Sequence, residues 1–365
     1  ANLLRRQAAY AEAEGLYREA LAMLQRLYGA EHPEVAAILH NLGAVRDRQS
    51  DYDQAETYYR QALTMRRKTL GSRHADVAES ENALSNVLRR MGRYEEAERL
   101  CLNALALRRE IFGGAHPLVA ESLNDLAFLY YTTGDLDRAE PLYVEALALR
   151  REALGDLHPE TAQSMTNLGR LLRKTGRLDE AEELYREALA VRREVLGEMH
   201  PEVATNLNDL ATLHSSRGEF EEAERLYRQS LAMRRELLGS EHWYVAMSLN
   251  NLAVLLNQTG RPAEAEPLYR ESLRLMRLLR GDRHPDVAVA VSNLADVLIA
   301  LGRHGEAEAL LVEALEIRRA VFGDHHVETA RSSRELAELY ERMGRMELAA
   351  RYRKAAEGGP EPAVD

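Results

Sequence analysis

Apolar residues recur at helical spacing along the whole chain, in a unit that repeats every 42 residues. In the copy covering residues 116–157, a first run places apolar side chains on one helix face from Val119 to Tyr130. A polar break, Thr-Thr-Gly-Asp at 132–135, separates it from a second apolar run over 136–149. The pattern therefore predicts two antiparallel helices joined by a short turn in each unit.

Three residue types keep this register. Glycine ends the second helix, where a positive φ costs it little, and a histidine, often followed by proline, begins the next first helix. Alanine stands within the second helix of every unit. The series are glycines from Gly29 to Gly323, histidines His32, His74, His116, His158, His200, His242, His284 and His326, and alanines from Ala13 to Ala349.

The register also predicts how the chain is divided. Asn2–Leu4 align with the end of a first helix, so we expect the chain to start within a helix, with further repeats or another domain before residue 1. The last pair is more charged and carries Arg353 where earlier units have tyrosine, which favours a cap. The predicted segments are a partial repeat (1–32), seven helix pairs (33–326), a C-terminal capping repeat (327–356) and a disordered acidic tail (357–365).

A family resemblance rests on seven positions of the unit. Their spacing resembles that of the tetratricopeptide repeat, and they are Leu126, Ala127, Tyr130, Gly134, Ala139, Tyr143 and Ala146. The usual repeat has about 34 residues, whereas this unit continues to Gly155 and resembles the longer repeat of kinesin light chains. The resemblance implies an all-α, right-handed α-solenoid superhelix of antiparallel helix pairs. For function it implies only protein or peptide binding, because such repeats bind unrelated partners.

Composition narrows the functional classes. With 48 basic and 59 acidic residues, the formal charge is −11, which disfavours a nucleic-acid partner. No apolar run reaches the roughly 18–20 residues of a membrane span, so we expect no membrane partner. A single cysteine excludes an internal disulfide. These features predict a cytoplasmic protein, and we expect a monomer.

Two lines of polar residues on the first helices predict a ligand groove, because first helices line the concave surface in repeats of this family. The first line contains Asn82, Asn124, Asn208 and Asn250, and the second contains Asn41, Asp125, Asn167, Asp209, Asn251 and Asn293. Amides both donate and accept hydrogen bonds, so they can bind the backbone of an extended peptide. In the alternative interpretation, they bond to the neighbouring repeat and help to set the superhelix.

Further along the same helices, Arg89, Arg90, Arg170, Arg173 and Lys174 predict a basic strip, with Phe128 and Tyr131 between its two parts. This arrangement suits an acidic peptide that carries a bulky apolar residue. The resemblance implies the same ligand, since kinesin light chain repeats receive short acidic cargo motifs. Arg89 and Arg173 match that family's basic groove position, and the four asparagines of the first line match its amide position. The alternative is an ordinary charged helix face.

Other recurring polar residues have structural explanations. The histidines lie one repeat apart and cannot converge on one metal ion, so they predict helix caps. Cys101 occupies an aromatic position of its unit, which predicts a buried thiol. Arginine pairs late in the second helices predict a solvated outer ladder, at Arg66-Arg67, Arg108-Arg109, Arg150-Arg151, Arg192-Arg193, Arg234-Arg235 and Arg318-Arg319.

The sequence contains no phosphate-binding loop motif, zinc-protease motif or cysteine cluster at metal spacing. We therefore predict a non-enzymatic interaction scaffold without cofactor or metal. In an alternative, the array is the sensor or regulatory arm of a larger signalling protein. Its protease-like or nucleotide-hydrolysing domain would then lie outside this chain, and its groove would hold another domain of the same polypeptide. A weaker alternative is a structural spacer that assembles with itself.

Overall fold

The computed structural model describes residues 2–358, with side chains described from residue 10 onward. Within that range all regular secondary structure is α-helical, which confirms the predicted all-α class. None of these helices combines the length and apolar character that crossing a membrane requires. Residues 359–365 of the predicted acidic tail lie outside the described range.

The helices follow one another in pairs separated by short turns. They are α1 (Asn2–Tyr28), α2 (Pro33–Arg48), α3 (Tyr52–Leu70), α4 (Ala75–Arg90), α5 (Tyr94–Phe112), α6 (Pro117–Thr133), α7 (Leu136–Leu154), α8 (Pro159–Lys174), α9 (Leu178–Leu196), α10 (Pro201–Arg217), α11 (Phe220–Leu238), α12 (Trp243–Gln258), α13 (Pro262–Arg280), α14 (Pro285–Ala300), α15 (His304–Phe322), α16 (Val327–Arg342) and α17 (Met346–Ala356).

The chain divides into two compact units, unit 1 (Ala1–Leu213) and unit 2 (His214–Asp365), and the division falls within α10. In unit 1 the first helices α2, α4, α6 and α8 pack against the second helices α3, α5, α7 and α9 that follow them, and in unit 2 α12, α14 and α16 pack in the same way against α13, α15 and α17. First helices also touch each other: α4 contacts α6 and α6 contacts α8 in unit 1, and α12 contacts α14 in unit 2. Each unit is therefore an array of stacked helix pairs.

The first helix of the chain differs from the aligned pattern. The match of Asn2–Leu4 to the end of a first helix implies a turn soon afterwards, yet α1 is continuous from Asn2 to Tyr28. At the position where later repeats turn through Gly92 or Gly134, α1 has Ala8. Alanine has the highest helix propensity of all residues, so this position favours continuation of the helix.

Small and aromatic residues at fixed positions let the paired helices approach closely. The register alanines from Ala55 to Ala307 are fully buried at the centre of the second helices. Tyrosines one turn later, such as Tyr143 and Tyr185, are also buried. At Gly169 a Cβ atom would lie only 2.7 Å from Cε1 of Tyr185, so this pair packs the ring directly against the helix backbone.

The histidines cap the first helices, as predicted. His116 Nδ1 accepts a hydrogen bond of 3.2 Å from the backbone N–H of Leu118, which satisfies one of the free donors at the start of α6. The same bond forms at the start of all the remaining first helices, where the acceptors are His32, His74, His158, His200, His242, His284 and His326. At the opposite end of the unit, Gly155 closes α7 with φ 85°, as the sequence predicts.

A buried arginine joins most second helices to the first helix of the next repeat. Arg108 on α5 is 3% exposed and donates to Ser122 Oγ on α6 at 3.0 Å and to the carbonyl of Leu118 at 2.9 Å. We call this contact the arginine junction. It recurs 14 residues apart in sequence at Arg66–Ser80, Arg150–Ser164, Arg192–Asn206, Arg234–Ser248 and Arg318–Ser332.

The prediction of a solvated ladder was wrong for the first arginine of each pair. Those arginine residues are only 1–7% exposed, because each lies between two helices and finds hydroxyl, amide or carbonyl acceptors there. The second arginine of several pairs does face outward. Arg151 on α7, for example, reaches Glu187 on α9 at 2.7 Å, with both side chains about two-fifths exposed. Such exposed ion pairs add little stability.

One junction in unit 2 is apolar on both sides. Met276 stands at the arginine position of α13, and Ala290 stands at the serine position of α14. Both are buried, at 5% and 3% exposure. Loss of both partners together fits the rule that removing one partner of a buried charged contact is strongly destabilising, whereas replacing both with apolar residues is often neutral. The apolar pair therefore indicates that arginine and serine act as one unit at the other junctions.

We predict that Met276→Arg lowers the free energy of unfolding by about 1–3 kcal/mol, because Ala290 offers the new guanidinium no acceptor. Adding Ala290→Ser rebuilds the junction and should recover about 1 kcal/mol or more, measured as the coupling free energy in a urea double-mutant cycle. Ala309→Ser, on an exposed face of α15, is the matched control and should recover nothing. Strict additivity of Met276→Arg and Ala290→Ser would contradict the junction.

Ser50 is the one non-glycine residue with positive φ in the described chain, at 62°. It occupies the turn position that is glycine in the following repeats, from Gly92 to Gly344. A left-handed conformation costs a residue with a Cβ about 1–2 kcal/mol, partly offset by the greater freedom that glycine loses on folding. We therefore predict that Ser50→Gly raises the free energy of unfolding by about 0.5–1 kcal/mol in urea titrations. Gly92→Ser is the reverse control and should lower it.

Candidate functional site

The first line of asparagines lies at the junctions between first helices. Asn82 and Asn124 are 4% and 8% exposed. Asn82 Nδ2 donates to Ser122 Oγ at 3.1 Å, and Asn124 Nδ2 donates to Ser164 Oγ at 3.2 Å. These serines are the acceptors of the arginine junctions, so each amide completes a junction. The contacts match the alternative interpretation, in which the amides bond to the neighbouring repeat.

The remaining asparagines keep part of their surface. Asn167, Asn208, Asn250, Asn251 and Asn293 are all half-buried. In unit 1, Asn167 Nδ2 donates to Asn124 Oδ1 at 3.2 Å. In unit 2, Asn293 Nδ2 donates to Asn250 Oδ1 at 2.8 Å. Amide-to-amide bonds thus connect adjacent first helices in both units, and Asn167 Oδ1 also accepts a hydrogen bond from Gln163 Nε2 at 2.9 Å.

Unit 1 brings two cations and two aromatic rings together across three first helices. The Arg89 guanidinium of α4 lies 4.4 Å from the centre of the Phe128 ring on α6, and Lys174 Nζ of α8 lies 4.5 Å from the centre of the Tyr131 ring. The two rings are 6.3 Å apart and nearly parallel. We call these four residues the cation–aromatic patch. Phe128 is 41% exposed, which is high for a large apolar side chain.

The two arginines on α8 are placed differently from one another and from Arg89. Arg170 forms a two-pronged ion pair with Asp209 of α10, at 3.1 and 2.9 Å, and that carboxylate raises the pKa of Arg170 above its ordinary value. Its charge is therefore largely compensated. Arg173 is half-buried. Among the described residues Arg89 has no ion pair, and its Nε has no hydrogen-bond partner.

An acidic residue lies beside Arg89. Burial raises the pKa of Asp125 on α6 to about 7, and the nearby Glu121 raises it further. A hydrogen bond from Asn86 and the charges of Arg108 and Arg89 oppose this increase. Burial also lowers the pKa of Arg89, and Arg90 contributes to the same effect. At neutral pH, Asp125 is therefore protonated in part of the molecules, which leaves more of the Arg89 charge uncompensated.

The cation–aromatic patch can hold an anion and an apolar group next to each other. Cations over aromatic faces are attracted by the ring quadrupole, which fixes their position without neutralising their charge. The sequence predicted Arg89, Phe128 and Tyr131 for the site but did not reveal that Asp209 pairs with Arg170. A sequence signal for this ion pair does exist. It is an acidic residue 39 positions after the arginine, which is one 42-residue repeat less about one helical turn.

Other chemistry is not assembled in the described chain. No group of three or more histidine, cysteine, aspartate or glutamate side chains there is arranged to hold a metal ion. Cys101 is buried, as predicted, and burial raises the pKa of its thiol to about 12. Its Sγ donates to Ser85 Oγ at 3.2 Å, so the thiol takes part in packing between α4 and α5.

The family model described as "Tetratricopeptide repeat" matches residues 1–68, 76–152, 126–194, 160–236, 244–316 and 287–357, and a second model with the same description matches 208–276. BtubC (BKLC) from P. vanneervenii is 25% identical, with a TM-score of 0.53 over 63% of this chain and 96% of its own. A P. anserina protein described as a kinesin light chain with nearly identical repeats is 25% identical, with a TM-score of 0.47 over 56% and 97%. RapI in its apo form is 14% identical, with a TM-score of 0.54 over 77% and 96%. No curated protein sequence matches the chain.

We predict that Asp125→Asn removes a pH dependence of stability. The folded chain binds the Asp125 proton up to about pH 7, well above the ordinary aspartate value, so stability falls as pH rises between about 4 and 7. The amide cannot ionise, so the urea midpoint of the variant should rise relative to the unchanged chain between about pH 5 and pH 8. Asp156→Asn, at an exposed position, is the control. Equal pH profiles for all three proteins would refute this assignment.

Proposed function

The chain belongs to the tetratricopeptide repeat family, with the long repeat of the kinesin light chain type, and from that premise we propose that it is a non-enzymatic scaffold for an acidic peptide segment. Proteins of this family act as scaffolds that bind peptides or other proteins. The single observation that carries the more specific proposal is the cation–aromatic patch of unit 1, which offers Arg89 and Lys174 beside the exposed ring of Phe128.

The patch suits a short segment with a carboxylate next to a bulky apolar side chain. The carboxylate accepts hydrogen bonds from the Arg89 guanidinium, which forms no ion pair in the described chain. The apolar side chain covers Phe128 and removes its exposed surface from water. Tyr131 stays beneath Lys174 and keeps the ammonium group in position. Binding follows from this preformed arrangement, although an extended segment loses conformational freedom when it docks.

We assign binding of the peptide backbone to fewer asparagines than the sequence predicted. Asn82 and Asn124 are engaged in the arginine junctions, so we assign backbone binding in unit 1 to the half-buried Asn167 and Asn208. Asn167 lies one helical turn before Arg170 on α8, beside the patch. Arg170 itself contributes through Asp209, because their ion pair fixes the side of the site formed by α8 and α10.

The alternative of a regulatory arm concerns sequence outside this chain and stays a prediction. It uses the same surface, since another domain of the polypeptide would present the acidic segment in place of a separate partner. Both cases, a separate partner and another domain of the polypeptide, predict that the patch variants described below lose binding of the acidic segment. The two differ only in whether the segment is supplied in cis or in trans.

The test uses a fluorescein-labelled ten-residue peptide of aspartates around one tryptophan, and a matched peptide in which lysine replaces every aspartate. We predict that Arg89→Ala and Phe128→Ala each weaken binding of the acidic peptide about tenfold in fluorescence polarisation, equivalent to ~1.4 kcal/mol. Higher salt should weaken binding as well, because exposed charges are screened.

The matched control is Arg186→Ala, which removes an exposed arginine on α9 that pairs with Glu182. It changes the net charge as Arg89→Ala does but leaves the patch intact, so binding should stay within about twofold of the unchanged chain. Equal losses of affinity for Arg186→Ala and Arg89→Ala would show that the effect comes from net charge alone. Unchanged binding by both patch variants would reject the proposed site.

A further inference from the structure

The groove positions of unit 1 change character when the same register is followed into unit 2. The line that contains Phe128 and Arg170 in unit 1 continues as Val254, Asp296 and Glu338. The line three residues further along each helix, which contains Arg89, Tyr131 and Arg173 in unit 1, continues as Asn257 and Ile299 in unit 2. Positions that are cationic and aromatic in unit 1 are therefore acidic, amide-bearing and aliphatic in unit 2.

These residues form a cleft of about 310 Å³ between α12, α14 and α16. Its lining combines carboxylates, one amide, apolar side chains and a single arginine, and consists of Asn257, Asp296, Ile299, Ala300, Glu335, Glu338, Leu339 and Arg342. Three acidic groups thus face one basic group. A cleft of this size has room for one long side chain.

Two of the three carboxylates have no partner in the described part of unit 2. Glu335 is engaged, since it accepts hydrogen bonds from Arg331 at 2.9 Å and from Ser292 at 2.9 Å. Asp296 and Glu338 form no hydrogen bond or ion pair there, although Arg331 and Arg342 are near enough to influence Asp296. The cleft therefore holds negative charge that its own side chains leave without direct contact.

We propose that this cleft binds the cationic side chain of a lysine or arginine in a basic peptide segment. The aliphatic stem lies along Ile299 and Leu339, as the stems of long basic side chains do on apolar surfaces. The charged end lies between Asp296 and Glu338 and donates hydrogen bonds to both carboxylates. Asn257 contributes an amide that can accept a further bond. Unit 2 is thereby a second binding site, with a charge preference opposite to that of unit 1.

The proposal implies that binding depends on pH. Desolvation by the surrounding helices raises the pKa of Asp296 to about 6, although the residue keeps an exposed surface. Glu335 and Glu338 raise this pKa further, while Arg331 and Arg342 on the same facing helix lower it. A cation binds the ionised carboxylate, so affinity should fall as pH decreases through about 6 and Asp296 takes up a proton. From α12, the facing residue is the neutral Asn257.

The test uses the full chain and two fluorescein-labelled hexapeptides, one alternating glycine with lysine and the other glycine with glutamate. We expect the lysine peptide to bind, and Asp296→Asn with Glu338→Gln to weaken it about tenfold in fluorescence polarisation at pH 7.5. The control pair Asp282→Asn with Glu316→Gln makes the same charge change at exposed positions of unit 2 and should have less than a twofold effect. Arg89→Ala in unit 1 should leave the lysine peptide unaffected.

Both cleft substitutions remove like-charge repulsion, so these variants should fold, and circular dichroism checks this directly. Equal losses for the cleft pair and the control pair would show that only net charge attracts the peptide, and would overturn the site. So would an equal loss of glutamate-peptide binding in the cleft variants, or no binding of the lysine peptide to the unchanged chain at millimolar concentration. Failure of the acidic peptide test in unit 1 would not affect these outcomes, because no residue is shared.

Discussion

The buried arginine at the junction between repeats is the contact on which the array depends. A guanidinium group has five donors in a fixed plane, so it can satisfy a serine hydroxyl and a backbone carbonyl of the next helix at the same time. Arg108 does this with Ser122 and Leu118 across α5 and α6. Such a charge is tolerated inside the protein only while its acceptors stay in register, so the contact fixes how one repeat stacks on the next.

This requirement also determines which polar residues of the first helices are already engaged. Asn82 and Asn124 belong to the same hydrogen-bond networks as the junction serines, and both are buried. An asparagine whose amide donates to such a serine cannot turn to a ligand without leaving its own buried N–H group unpaired. Positions one turn further along the first helices take no part in the arginine junctions. The variable chemistry of the chain, including Phe128 and Asp296, is found there.

Because these positions take no part in the arginine junctions, their side chains can differ between the two units. A fixed backbone repeats every 42 residues, while the side chains on the groove lines change from cationic and aromatic in unit 1 to acidic and aliphatic in unit 2. In unit 1 the cations rest on aromatic rings and keep their charge available. In unit 2, Asp296 and Glu338 line a cleft without direct partners in the described chain. One repeated scaffold thus presents surfaces of opposite charge.

The sequence by itself determined the helix pairs, their histidine caps and the all-α class, because these depend on local periodicity and on neighbours two to four residues away. It also predicts a groove along the first helices, which stays a prediction. Only the tertiary structure decided which polar residues are engaged. Arg108 and Arg109 are adjacent and chemically identical, yet the first is buried while the second pairs at the surface with Glu145. Their roles depend on partners 14 and 36 residues away, which come close only when the helices stack.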